Sequence, residues 1–231
     1  KQILDVGVVR MKQHVEQGGE ITYTLCTAVL SLSQVLINQN DTEGAVKWLD
    51  DPVVGIVAMV RDKAPVTDRG PFRVETYKAA LRAYVGQQDL DKAEDVMKDL
   101  EEAVKQDGGA GAEERLTQIY ISLGKDLEQQ LEMLRSENKR EEQKKVSEGF
   151  ELFLTRILKR PGNTFSSLNW IAETFYNLGS GLDPGGQKLP ADAEGYYKRA
   201  AEGYLSILRA LKKDPAFGPA DAELTINIRL A

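Results

Sequence analysis

Apolar residues in this chain recur every three or four positions, the period of a helix with one buried face, and almost nowhere alternate as a half-buried strand requires. Leu25, Val29, Leu32 and Leu36 form one such stripe between about Ile21 and Asn38. Asn40-Asp41 interrupts it, and Asp41 is suited to cap a second helix that carries Ala45, Val46 and Leu49 and stops at Pro52. A second pair follows: Val74, Tyr77, Leu81 and Tyr84, a turn from Gly86 to Asp89, then Leu90, Ala93, Met97, Leu100 and Val104. After a glycine-rich loop at 108–111 comes a third pair with long arms, whose stripes are Leu116, Ile119, Leu123, Leu127, Leu131 and Leu134, then Val146, Phe150, Phe153, Leu154, Ile157 and Leu158. The mixed-charge run from Glu137 to Lys145 joins the arms and reads as a solvated hairpin tip, with Glu141 and Lys145 one helical turn apart. Pro161-Gly162 stops the second arm.

The fourth pair spans about 165–178 and 191–211, and its connector, Gly179 to Pro190, reads as a surface loop from its glycines and prolines. Val53 to Val60 is apolar and β-branched but isolated, and is expected to pack as a loop or a short turn of helix. The pattern therefore predicts an all-α fold, one domain over 1–231, with hairpins at about 21–51, 73–106, 112–160 and 165–212. A further helix begins over 220–231. Lys at position 1 and an apolar pattern still running at Leu230 suggest a fragment of a longer protein.

Counting removes several chemistries. A chain of 231 residues, 42% hydrophobic and 29% charged, can bury a core and is neither disordered nor fibrous. Lys+Arg at 30 against Asp+Glu at 36 gives a net charge of −6, which disfavours a phosphate-binding surface, so no nucleic-acid partner is expected. No apolar run approaches the length of a membrane span. One cysteine and one histidine leave neither an internal disulfide nor a Cys/His zinc cluster. His14 has no nucleophile at a suggestive spacing, and Cys26 sits within an apolar stripe as a small hydrophobe. The glycine clusters at 108–111 and 179–186 lack the Gly-Lys-Ser/Thr of a phosphate loop. Asp89-Leu-Asp91 is better placed as a helix cap than as a calcium loop. No catalytic constellation, cofactor or metal is expected.

The pairs align on one another. Leu32, Leu36, Asn40, Ala45 and Leu49 fall at the same offsets as Ala80, Tyr84, Gln88, Ala93 and Met97, a small residue where two helices cross and a large one a turn later. Tyr84-Val-Gly-Gln-Gln-Asp-Leu-Asp-Lys-Ala93 resembles the tetratricopeptide repeat, and Leu168, Ile171, Ala172, Phe175, Gly179, Ala200 and Tyr204 fit it in the fourth pair. The third pair fits only through Gly149, Phe153 and Pro161. The small anchors Ala45, Ala93, Gly149 and Ala200 recur at about fifty residues, against about 34 in the family, so each unit carries an insertion.

The resemblance implies hairpins stacked in a right-handed α-α superhelix, with ligands against the first helix of each pair. Its offsets point to Thr27, Leu30, Gln34 and Asn38, to Lys78 and Arg82, and to Asn169, Glu173, Tyr176 and Asn177. Only Lys78 and Arg82 are cationic among them, too few for the family's carboxylate clamp. The implied function is a non-enzymatic scaffold that binds a peptide or protein on a concave face. The alternative is a structural spacer, or a self-assembly module that associates through the edge after Pro219.

Overall fold

Several helices here start and stop for a local chemical reason, and the reasons repeat. A computed structural model describes residues 2–183, 185 and 189–230. Its helices are α1 (Gln2–Glu16), α2 (Tyr23–Asn38), α3 (Thr42–Leu49), α4 (Ile56–Arg61), α5 (Gly70–Gln87), α6 (Leu90–Gly108), α7 (Ala112–Ser136), α8 (Arg140–Lys159), α9 (Phe165–Leu182), α10 (Ala191–Lys213) and α11 (Ala222–Leu230). No strand occurs among the described residues, so the fold is all-α.

The first two hairpins share one turn. At the end of α2 the amide of Asn40 donates to the Ile37 carbonyl at 2.9 Å and that of Asp41 to Leu36 at 2.9 Å. At the end of α5, Gln88 donates to Val85 at 3.1 Å and Asp89 to Tyr84 at 3.0 Å. This is a Schellman closure, which needs one left-handed residue, here Asn40 at φ 61° and Gln88 at φ 58°. The aspartate that follows caps the next helix: Asp41 accepts from Gly44 N at 3.0 Å and Asp89 from Lys92 N at 3.2 Å. One short device thus ends a helix and starts its partner. The α7–α8 tip repeats the closure with Asn138 at φ 60°, so the charged run begins as a turn.

Two breaks differ from their sequence reading. The glycines at 108–111 form no open loop: α6 reaches Gly108, and Gly109–Gly111 is a single 3₁₀ turn leading into α7. Gly179 is not in the connector either, because α9 continues to Leu182. Gly179 is buried where a Cβ would stand 3.0 Å from the Tyr197 ring, so its small size serves helix packing and not a turn. Pro184 and residues 186–188 of the expected loop lie outside the described residues. Val53 to Val60 leads into and overlaps α4, whose end closes through Lys63 and Ala64 while the buried Thr67 hydroxyl donates to the Met59 and Ala64 carbonyls.

The chain divides into two compact units, residues 1–112 with 122–150 and residues 113–121 with 151–231. In the first, α2 packs on α3, α3 on α5, α2 on α5 and α5 on α6, while α1 lies on α2. Leu32, Ala45, Leu49, Ile56, Leu81 and Leu100 are fully enclosed there. Asp50, just after α3, accepts from the Tyr84 hydroxyl and from Lys92 Nζ at 2.8 Å, tying α3, α5 and α6 together. Burial, reinforced by Asp50, pushes the Tyr84 phenol far above its ordinary range, so it remains a donor. Gly149 of α8 meets the Val85 carbonyl so closely that no Cβ fits.

In the second unit, α9 packs along α10, and α10 on α11. Phe175 stacks on Tyr196 with centroids 6.3 Å apart, and Tyr120 meets Phe153 edge-on at 5.9 Å. Asn163, past the Pro161-Gly162 stop, donates to the carbonyls of Ile157, Leu158 and Arg160 at 2.7, 3.3 and 2.9 Å and so closes α8. Ala200 and Tyr204 are buried, and Gly203 lets α10 reach Ala172 of α9.

Candidate binding faces

A first helix whose apolar stripe is buried against its partner must turn its remaining polar residues elsewhere. In unit 1 those residues meet one another. Arg82 of α5 donates from Nη2 to Asn38 Oδ1 of α2 at 3.1 Å, and its Nη1 lies 3.7 Å from Asp126 of α7. Four residues on from Asp126, Gln130 donates to Asn40 at 2.6 Å. The Arg82 side chain is only 15% exposed. Burial lowers its pKa and the Asp126 carboxylate opposes that, but a guanidinium stays charged. Arg82 Nε and Gln130 Oε1 find no protein partner, and Gln130 is 3% exposed. Lys78, one turn before Arg82, pairs with Glu75 of its own helix at 3.0 Å. Gln34 is half-buried.

Among the positions taken from the repeat pattern, Leu30 is corrected. It is 8% exposed and belongs to the core, because the buried face of α2 is broader than one stripe. Thr27 spends its hydroxyl on the Thr24 carbonyl at 2.9 Å.

In unit 2 the α9 residues divide. Glu173 pairs with Arg229 of α11 at 3.1 Å. Beneath them Tyr204 of α10 is 1% exposed, and burial, with the Glu173 charge next, raises its phenol well above the ordinary value. Tyr176 lies against Tyr197 of α10, ring centroids 5.6 Å apart and planes tilted by 51°. Tyr176 and Asn177 face solvent and Asn169 is half-buried. The sequence reading therefore missed Asp126, Gln130, Arg229 and Tyr197. The first two escaped because no offsets were carried onto α7, although a polar i,i+4 pair beside the Leu123, Leu127, Leu131 stripe was available as a signal.

A polar cavity of about 170 Å³ opens at the hairpin turns of unit 1, between Thr42, Gln87, Glu142 and Lys145. It has room for several waters. Cys26 is buried and its thiol pKa is raised by that burial. Among the described residues no group of three or more His, Cys, Asp or Glu is placed to hold a metal ion, and no helix is long and apolar enough to cross a membrane. Compared with known proteins, the chain matches no family model, no curated protein and no solved structure.

Proposed function

We propose that the chain is a non-enzymatic interaction scaffold of the tetratricopeptide-like kind, its hairpins stacked as a right-handed superhelix and its first-helix faces offered to a peptide or protein. Support for the stacking comes from the contact order of unit 1, where a second helix, α3, touches the next first helix, α5, and the two first helices touch each other. The observation that carries the binding reading is the exposed Tyr176 beside Tyr197, with Asn177 and Asn169 on the same helix. Paired tyrosines give a partner apolar area at low entropic cost, with amides beside them to fix its backbone. In unit 1, Gln34, Asn38, Lys78 and Arg82 form a second, more internally satisfied face.

Peptides selected from a random library on the intact protein test this. A Tyr176→Ala variant with unchanged helical circular dichroism should lose at least about tenfold in affinity for them, as expected of an aromatic anchor, and Lys78→Glu should weaken any that carry carboxylates. A selected peptide that binds both variants as tightly as the parent sinks the assignment.

A further inference from the structure

Three times the chain holds one of its own cations between an aromatic ring and a carboxylate. Lys92 lies 5.4 Å from the centre of the Tyr84 ring and 2.8 Å from Asp50. Arg160 lies 5.6 Å from the centre of Tyr120 and 2.8 Å from Glu113. Arg199 lies 6.0 Å from the centre of Phe175 and 2.5 Å from Glu151. The ring offers its negative face and the carboxylate its charge, and both gain where water is partly excluded.

The same parts stand together once more in unit 2, and among the described residues no cation of the chain sits over them. Tyr176 of α9, 40% exposed, lies against Tyr197 of α10 with ring centroids 5.6 Å apart. Gly179 seats the pair, since the absence of a Cβ there lets the Tyr197 ring lie close on α9. Asp183 follows Tyr176 by seven residues, two turns along the same helix face. Partial desolvation, and next the Asp183 charge, raise the Tyr197 phenol above its ordinary value. Asp183 also ends α9, so its carboxylate stands at the negative end of the helix dipole, where a cation is favoured. It accepts from the Gly185 amide at 2.9 Å, which leaves its charge uncompensated. Two cations of this unit close to the pair in sequence or on the same face are already spent, Lys198 on Glu194 at 2.7 Å and Arg229 on Glu173 at 3.1 Å.

We propose that Tyr176, Tyr197 and Asp183 form a recognition site for a cationic side chain of the partner, arginine before lysine. A planar guanidinium stacks on a ring face while its N–H fork reaches a carboxylate, and it sheds water more readily than an ammonium. This gives the α9 face its partner chemistry and rests on the peptide-binding reading above: the segment it takes is basic, with an arginine as the anchor.

Four capped pentapeptides test it, acetyl-Gly-Gly-X-Gly-Gly amide with arginine, lysine, citrulline or leucine at X. Citrulline keeps the planar shape of arginine without its charge. Each is titrated into the intact protein and followed by NMR through the backbone amides of Gly179, Ser180 and Gly181. The arginine peptide should bind about fivefold more tightly than the citrulline peptide, the scale of an exposed cation–ring contact with a carboxylate beside it, and lysine should fall between. Asp183→Asn, which keeps an acceptor for Gly185, and Tyr176→Leu, which keeps apolar area, should each cut that ratio to under about twofold. No shift with the arginine peptide overturns the proposal, as does equal binding of arginine and citrulline, or a preference that survives both variants. If leucine binds as well as arginine and Tyr176→Ala abolishes both, the cation site falls while the peptide face of the proposed function stands.

Discussion

The two units use the same element, a pair of antiparallel helices, and dispose of its leftover polar groups in opposite ways. In unit 1 the cation on the first-helix face, Arg82, is drawn between Asn38 and Asp126 and almost leaves solvent. In unit 2 the ion pair of Glu173 with Arg229 stays wetter, Arg229 being 49% exposed, and the aromatic Tyr176 remains on the surface beside Tyr197. The difference lies in what arrives opposite. Where several first helices lie side by side, a charge is neutralised by the next one. A tyrosine has nothing comparable to pair with and stays available.

The contrast extends to close packing, which gives the largest expected effect. Gly149 in unit 1 faces a backbone carbonyl, whereas Gly203 in unit 2 faces the Ala172 methyl, 2.9 Å from where its Cβ would stand. A carbonyl in a helix cannot rotate away. Gly149→Ala should destabilise by about 3 kcal/mol and Gly203→Ala by about half that, the range for overpacking, read from urea unfolding by circular dichroism. Equal costs would mean that α8 shifts as easily as α10 and would remove this part of the contrast.

Next in size are the two ion pairs. Arg82→Ala removes a nearly buried guanidinium together with its stem packing and should cost about 1 to 2 kcal/mol. Arg229→Ala, at an exposed pair, should cost under about 0.5 kcal/mol. The order of the two values, measured in one denaturant series, is the sharp part. A reversal would show that burial does not separate the faces.

The last effect is a matter of pH, and its group, Asp51, lies in unit 1. Burial by itself would raise the Asp51 carboxyl, but Lys12 Nζ at 2.5 Å and the amides of Val53 and Val54 outweigh it and hold the group below the usual carboxylate range. A folded value below the unfolded one means that the stabilisation is complete above about pH 4 and is lost as the pH falls below that. Asp51→Asn should reduce stability at pH 7 by about 1 kcal/mol and flatten the profile between about pH 4 and pH 2. Hydrogen exchange of α1, which Lys12 ties to Asp51, locates the change; a variant with an unaltered acid limb would break the assignment.

The sequence by itself determined the helices, most of their ends and the all-α class, because those rest on contacts within a few residues. Asp41 and Asp89 cap from three positions away, and an apolar stripe at helical period has one use. It also marked Ala45, Ala93, Gly149 and Ala200 as crossing points, all of them buried. Gly179 was misplaced because its surroundings come from α10, far along the chain, and Leu30 because burial is set by packing that the α2 stripe alone does not show. The pairing of Arg82 with Asp126, 44 residues on, and of Glu173 with Arg229 was likewise invisible. Charges at such separations leave no local pattern, since their attraction depends on distance in space and on the water excluded between them, and packing alone sets both.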